Sequence, residues 1–141
     1  MTQTTCTQFC VPIPNTPGTL GKLTQALSKE GCNITGIMIE DLGDVSYVRF
    51  NADDEGGVRK VLKAAGYQVF ETPAFCVEVP NRPGELHKLA KSLGEQGVNI
   101  RHIYGTTDGA ETCKLMVIVD QTEKAQSFFK KFGEKMENAV R

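Results

Sequence analysis

Two short stretches of the chain carry residue types suited to binding a small anion. Asn15-Thr16-Pro17-Gly18-Thr19-Leu20 and Asn81-Arg82-Pro83-Gly84-Glu85-Leu86 each follow alternating apolar residues and open a helical pattern. A tight turn into a helix leaves backbone N–H groups unpaired, and the helix dipole adds partial positive charge there. A carboxylate suits such a place. Gly18 and Gly84 carry no Cβ, so a ligand can approach the backbone closely. Pro17 and Pro83 are expected in the first helical turn, where a missing N–H costs nothing. Asn15 and Asn81 can cap the helix, orient the loop or hydrogen-bond a ligand. The same residues would also serve simply to turn a strand into a helix. The two loops differ: Thr16, Thr19 and Gly21 stand against Arg82, Glu85 and His87. Glu85 suits the dipole but repels a carboxylate, and Arg82 can compensate. The first loop is expected to be the more open receptor.

Other reactive residue types are poorly placed for chemistry. His87 and His102 lack a cysteine or carboxylate at ligand spacing and read as surface or interface residues. Cys6, Cys10, Cys32, Cys76 and Cys113 are odd in number with no Cys-x-x-Cys pair, which points to free buried thiols in a chain without a secretion signal. Strand alternation puts Cys6, Cys10 and Cys76 on the face opposite Phe9, Val11, Phe75 and Val77. Asp41, Asp44, Asp53, Asp54 and Glu55 fall in turns and at a helix start, where capping explains them. There is no Gly-x-Ser-x-Gly, P-loop or paired-histidine motif. Acylphosphatase-type chemistry would need an arginine in a phosphate-cradling loop, which the Pro-Gly turn beside Arg82 does not resemble. No catalytic residue, metal or cofactor is therefore expected.

The elements that must position these loops occur twice. The segments starting at Pro14 and Pro80 align at an offset of 66, and 12 of the 24 positions from Pro14 to Ile37 are identical to their counterparts, a duplication. Phe9, Val11 and Ile13, then Phe75, Val77 and Val79, alternate as half-buried strands do. Leu20, Leu23 and Leu27, then Leu86, Leu89 and Leu93, have helical spacing. Gly31 and Gly97 suit helix ends, and Gly43 and Gly109 suit hairpin turns. Strands are expected from Asn33 and Asn99, at Val45–Asn51 and at Cys113–Val119. Second helices are expected at Asp54–Ala65 and Thr122–Phe132.

A fourth strand is expected at Tyr67–Phe70. Its counterpart, Gly133–Met136, does not read as a strand, and Met136–Arg141 is compatible with helix, frayed chain or a short edge. The second sheet would then need cover from the N-terminus or a partner chain. The order βαββαβ gives a ferredoxin-like α/β (α+β) sandwich, an antiparallel sheet with helices on one face. Two modules are expected, 1–72 and 73–141.

Asn-x-Pro-Gly-x-Leu, then a helix, then Gly-x-Asn-Ile resembles the ACT-domain family. Both copies match, through Asn15, Pro17, Gly18, Leu20, Gly31, Asn33 and Ile34, and through Asn81, Pro83, Gly84, Leu86, Gly97, Asn99 and Ile100. The resemblance implies a stand-alone tandem regulatory protein that binds a free amino acid at interfaces between modules. It also implies a homodimer and a regulated enzyme as partner. By the same resemblance, Asn33–Ile34 and Asn99–Ile100 face the pocket formed by Asn15, Pro17, Gly18, Thr19 and Leu20 or by Asn81, Pro83, Gly84, Glu85 and Leu86. The rival reading is a ligand-independent regulatory subunit of a biosynthetic enzyme.

Composition narrows the alternatives. The net charge is −1 over 141 residues, with no basic excess to draw nucleic acid or an anionic membrane. The longest apolar run, Leu115–Val119, cannot span a bilayer. Met1–Thr7 lacks the pattern of a signal peptide. A cytoplasmic protein is expected.

Overall fold

The computed structural model describes the backbone of residues 2–140 and the side chains of residues 3–131. The elements are β1 (Thr2–Pro14), α1 (Thr19–Lys29), β2 (Ile34–Asp41), β3 (Val45–Ala52) and α2 (Glu55–Ala64). Then follow β4 (Phe70–Pro80), α3 (Glu85–Glu95), β5 (Ile100–Thr106), β6 (Thr112–Val119) and α4 (Thr122–Val140). They form two compact units: residues 7–72, and residues 1–6 together with 73–141.

In the first unit the strands lie in the order β2-β3-β1 with antiparallel pairing. Phe9 pairs with Phe50 and Val11 with Val48. Paired residues point to the same face, and there they meet Leu23 and Leu27 of α1 and Val58 and Leu62 of α2. The Phe9 and Phe50 rings lie 5.5 Å apart. The second unit repeats this layering. Phe75, Val77, Leu115, Val117 and Val119 pack against Leu89, Leu93, Ala125 and Phe129, with β6 between β4 and β5. Each unit is a ferredoxin-like α+β layer with its helices on one face. Apolar residues at period two on strands and three to four on helices leave one buried face each, and these faces can only be satisfied by each other.

The expected strand at Tyr67–Phe70 requires correction. Tyr67 and Val69 do pack against the first core, but the strand begins at Phe70 and runs unbroken to Pro80. No Gly, Asn, Asp or Ser interrupts 70–75, and Pro73 biases Thr72 toward extended backbone. One continuous strand thus stands where a closing strand and an opening strand were expected. In the second unit α4 continues as helix through residues 133–136, so no strand follows its second helix among the described residues. Residues 2–6 of β1 belong to that unit, and β1 neighbours β4. Arg141 lies outside the described residues.

Both units carry an irregularity at the start of their second strand, between Ile34 and Gly36 and between Ile100 and His102. A backbone lock sits beside each. The Asn33 N–H donates to Asp53 Oδ1 (3.0 Å) and the Asp53 N–H donates back to the Asn33 carbonyl (3.1 Å). The Asn99 N–H donates to Asp120 Oδ1 (2.9 Å) and the Asp120 N–H to the Asn99 carbonyl (3.1 Å).

Candidate functional site

The two Pro-Gly loops have one geometry. The Thr19 N–H donates to the Thr16 carbonyl at 3.4 Å, and the Glu85 N–H to the Arg82 carbonyl at 3.3 Å. Gly18 has φ 90° and ψ −12°, and Gly84 φ 90° and ψ −10°. These are the angles of the third residue of a type II turn, with proline just before it. Pro17 and Pro83 therefore precede the helix cap instead of sitting in the first helical turn as the sequence suggested. Positive φ at the glycine is what ends the turn, and α1 and α3 start only at Thr19 and Glu85.

Asn15 and Asn81 do not cap these helices, neither of which has a side-chain cap. Asn15 is a clamp: its Nδ2 donates to Asp41 Oδ1 (2.9 Å) and the Gly43 carbonyl (2.7 Å), and its N–H to the Asp44 carbonyl (2.9 Å). Asn81 repeats this with Thr107 Oγ1 (3.1 Å), the Ala110 carbonyl (2.9 Å) and the Glu111 carbonyl (2.8 Å). Each loop is tied to the following hairpin. The Thr19 hydroxyl is within donating distance of the Pro14 and Thr16 carbonyls, at 2.7 and 2.9 Å, and so also braces the loop.

The charge at the two helix starts differs. No acidic residue lies in the first turn of α1. In α3 the Glu85 side chain is only 12% exposed and pairs with Arg82 (3.2 Å) and Lys88 (3.5 Å). The second loop thus carries its own carboxylate, neutralised in place. Leu20 packs partly against the first core, whereas Leu86 is 51% exposed. A Cβ on Gly18 or Gly84 would meet nothing within 4 Å, so both loops open outward.

The expected grouping of residues is only half realised. Asn15, Pro17, Gly18, Thr19 and Leu20 sit beside the Asp41–Asp44 hairpin. Asn33 and Ile34 lie at the other end of β2, locked to Asp53, with eight residues or about 25 Å of strand between. Asn99 and Ile100 stand in the same relation to Asn81, Pro83, Gly84, Glu85 and Leu86. Ile34 and Ile100 turn into their cores. Within one module the helix carries the chain from the loop to the far end of the sheet, so Asn-Ile and its own Pro-Gly loop cannot share a pocket.

Two recesses lie elsewhere. One of about 790 Å³ lies between α3 and α4, lined by Ser92, Glu95, Lys124 and Phe128 among others. Its first-unit counterpart, about 440 Å³, is lined by Ala26, Lys29, Val61 and Ala65. Both lie toward the C-terminal ends of α1 and α3, away from the loops. Among the described residues no three His, Cys, Asp or Glu side chains are grouped to hold a metal ion. His87 is exposed and His102 partly buried.

Sequence reasoning missed the polar face of the first unit. Gln8, Arg49 and Asn51 are at most 9% exposed and lie opposite the helices. Arg49 Nη1 donates to Glu40 Oε2 at 2.8 Å, and its guanidinium sits 5.4 Å over the Tyr47 ring. Cys10 pairs with Arg49 across the strands. Burial pushes its thiol up, which outweighs the opposing effect of Arg49, so it stays protonated at neutral pH. The equivalent positions in the second unit are Ala74, Cys76, Met116 and Ile118, an apolar cluster that Cys6 and Tyr104 join. Comparing the two copies position by position could have revealed this contrast.

No curated protein matches the chain. Among solved structures, protein BT0572 from Bacteroides thetaiotaomicron superposes with a TM-score of 0.87 at 24% identity, covering 93% of this chain and 90% of that one. The ligand-free regulatory subunit of aspartate kinase from Thermus thermophilus gives 0.68 at 17% identity, covering 92% and 91%. The corresponding subunit from Thermus flavus gives 0.69 at 19%, covering 92% of each. These likenesses speak to the fold. The pattern of the family described as ACT domain pair matches residues 4–134, taking in both clamped Pro-Gly turns and both α+β units, and the chain belongs to that family.

Proposed function

We propose that this protein is a regulatory module that binds a free amino acid, with the ligand carboxylate at the start of α1. The observation that carries the reading is the first loop itself. Asn15 and Thr19 hold it rigidly, no side chain caps the helix and no acid lies in its first turn. Backbone N–H groups fixed in this way bind an anion without reorganising. The two recesses between the helices do not include the loop, and in this reading the ligand lies between modules. A module of a second copy supplies the other side, giving a homodimer with ligand at a module interface. Ligand would then favour one packing of modules over another and so act allosterically on a partner enzyme in the cytoplasm. The regulatory role of structurally similar aspartate kinase subunits is consistent with this.

A ligand-independent interaction subunit is the alternative. It draws support from Ile37 and Ile39, exposed at 43% and 44% on β2, a surface suited to a protein partner.

Thermal unfolding against the twenty amino acids at millimolar concentration tests the two. A ligand at 100 times its Kd adds about 2.7 kcal/mol, a shift of roughly 5–10 °C. The expected result is a selective shift that disappears in Gly18→Val and Asn15→Ala. A folded, ligand-free sample that responds to none of the twenty would favour the interaction subunit.

A further inference from the structure

The outer strands of the two units differ in what they leave uncovered. β2 is outermost in the first unit and β5 in the second, and each is hydrogen-bonded on one side among the described residues. Ile37 and Ile39 of β2 pair with Phe50 and Val48. They therefore lie on the helix-facing side of the sheet, yet both are exposed, while their partners on β3 are fully buried. The second unit offers no such pair. Ile103, the counterpart of Ile37, packs partly against the second core, Gly105 stands in place of Ile39, and an exposed Arg101 stands in place of Thr35. Strand edges are ordinarily kept from pairing by charge, proline, bulges or shortness. From Gly36 to Ile39, β2 has neither charge nor proline, and its ladder is regular from Gly36 to Asp41.

We infer that the outer edge of β2 is an interface with a second copy of this chain, β2 running antiparallel to the partner's β2 about a two-fold axis at Met38. A two-fold axis normal to the sheet makes the same edge serve both copies. Ile37 then faces the partner's Ile39, and Ile39 the partner's Ile37, so four isoleucines meet on one side of a continuous sheet. Glu40 faces the partner's Gly36 and Asp41 the partner's Thr35, so no like charges stand opposite. An axis at Ile39 would set Ile37 against the partner's Asp41. An axis at Ile37 would set Ile39 against the partner's Thr35. Pairing with the partner's β5 would bring the isoleucines to an edge that carries Arg101 and Gly105. The inference rests on the homodimer of the reading above, to which it assigns an edge and a register, and it uses neither Pro-Gly loop.

Oxidation of the full-length Met38→Cys variant tests it. Directly opposite residues of an antiparallel pair have Cα atoms roughly 4.5–5.5 Å apart, within the span of a disulfide. The expected result is a reducible covalent dimer whose link maps to position 38 in both copies. Ile37→Cys is expected not to link to itself, because its own copy in the partner lies two positions away from it along the strand, beyond about 7 Å. In sedimentation the unmodified chain is expected to be a dimer, and Ile39→Lys to weaken that dimer at least about tenfold. Absence of a link at 38, a link at 37 in its place, or an unmodified chain that sediments as a monomer overturns the inference. If the variants fail to fold, hydrogen exchange of the unmodified chain decides. Amides of residues 37–39 are expected to exchange more slowly as protein concentration rises, and exchange independent of concentration overturns it. A dimer linked at 38 that responds to no amino acid upholds the interface and removes the ligand reading. A chain that binds an amino acid without forming the link does the reverse.

Discussion

Gly105→Ala is expected to destabilise the protein by about 3 kcal/mol, lowering Tm by roughly 10 °C. Gly105 pairs with Leu115 across β5 and β6. A Cβ there would overlap the Lys114 carbonyl oxygen and lie 2.8 Å from Leu115 Cδ2. The carbonyl is backbone of β6, which has β4 on its other side, so no rotamer change relieves the overlap. Only β5 can move, at the expense of its ladder bonds. The first copy carries Ile39 at the equivalent position, so the restriction belongs to the second unit's local strand path. Gly94→Ala is the control. Gly94 lies within α3, where a Cβ would meet nothing within 4 Å, and alanine there should stabilise by about 0.5–1 kcal/mol. Chemical denaturation of both variants measures the contrast. A Gly105→Ala protein as stable as the parent would mean that β5 does not run as described.

The second large effect is an asymmetry. Glu40→Ala is expected to cost about 2–3 kcal/mol and Arg49→Met less than about 1 kcal/mol. The Arg49 side chain is 11% exposed and Glu40 36% exposed, with 2.8 Å between them. Removing the carboxylate strands a largely buried guanidinium, while methionine replaces that group by an apolar one of similar length. The partial exposure of Glu40 lets water relieve some of the penalty, which places the loss below that of a fully buried pair. Urea midpoints of the two variants give the answer. Equal losses, or a greater loss for Arg49→Met, would show that the pair contributes net stability and that the face tolerates its charge for that reason.

Much of the protein was legible in its residues, for reasons that are local. The duplication, the two βαββ runs and the inward faces follow from apolar spacing at period two or three to four. The type of each turn is set by where proline and glycine stand. Gly31 and Gly97 do close their helices, at φ 73° and 74°, because few other residues adopt that conformation. Family membership rests on the same local signals, repeated in register.

Tertiary structure decided what depends on partners far along the chain. Asn15 could have capped α1, but Asp41 and Gly43, 26 and 28 residues away, claim its amide. Asn33 and Ile34 stand at the end of β2 away from their own loop, because the length of that strand lies between. Tyr67–Phe70 has strand composition, yet pairing starts only at Phe70, because ladder bonds and not propensity set where a strand begins. The grouping of residues 1–6 with 73–141 is of the same kind. A sequence states which segments can be strands, but which edge each one fills is settled by the hydrogen-bond donors and acceptors left over once the rest of the sheet has formed.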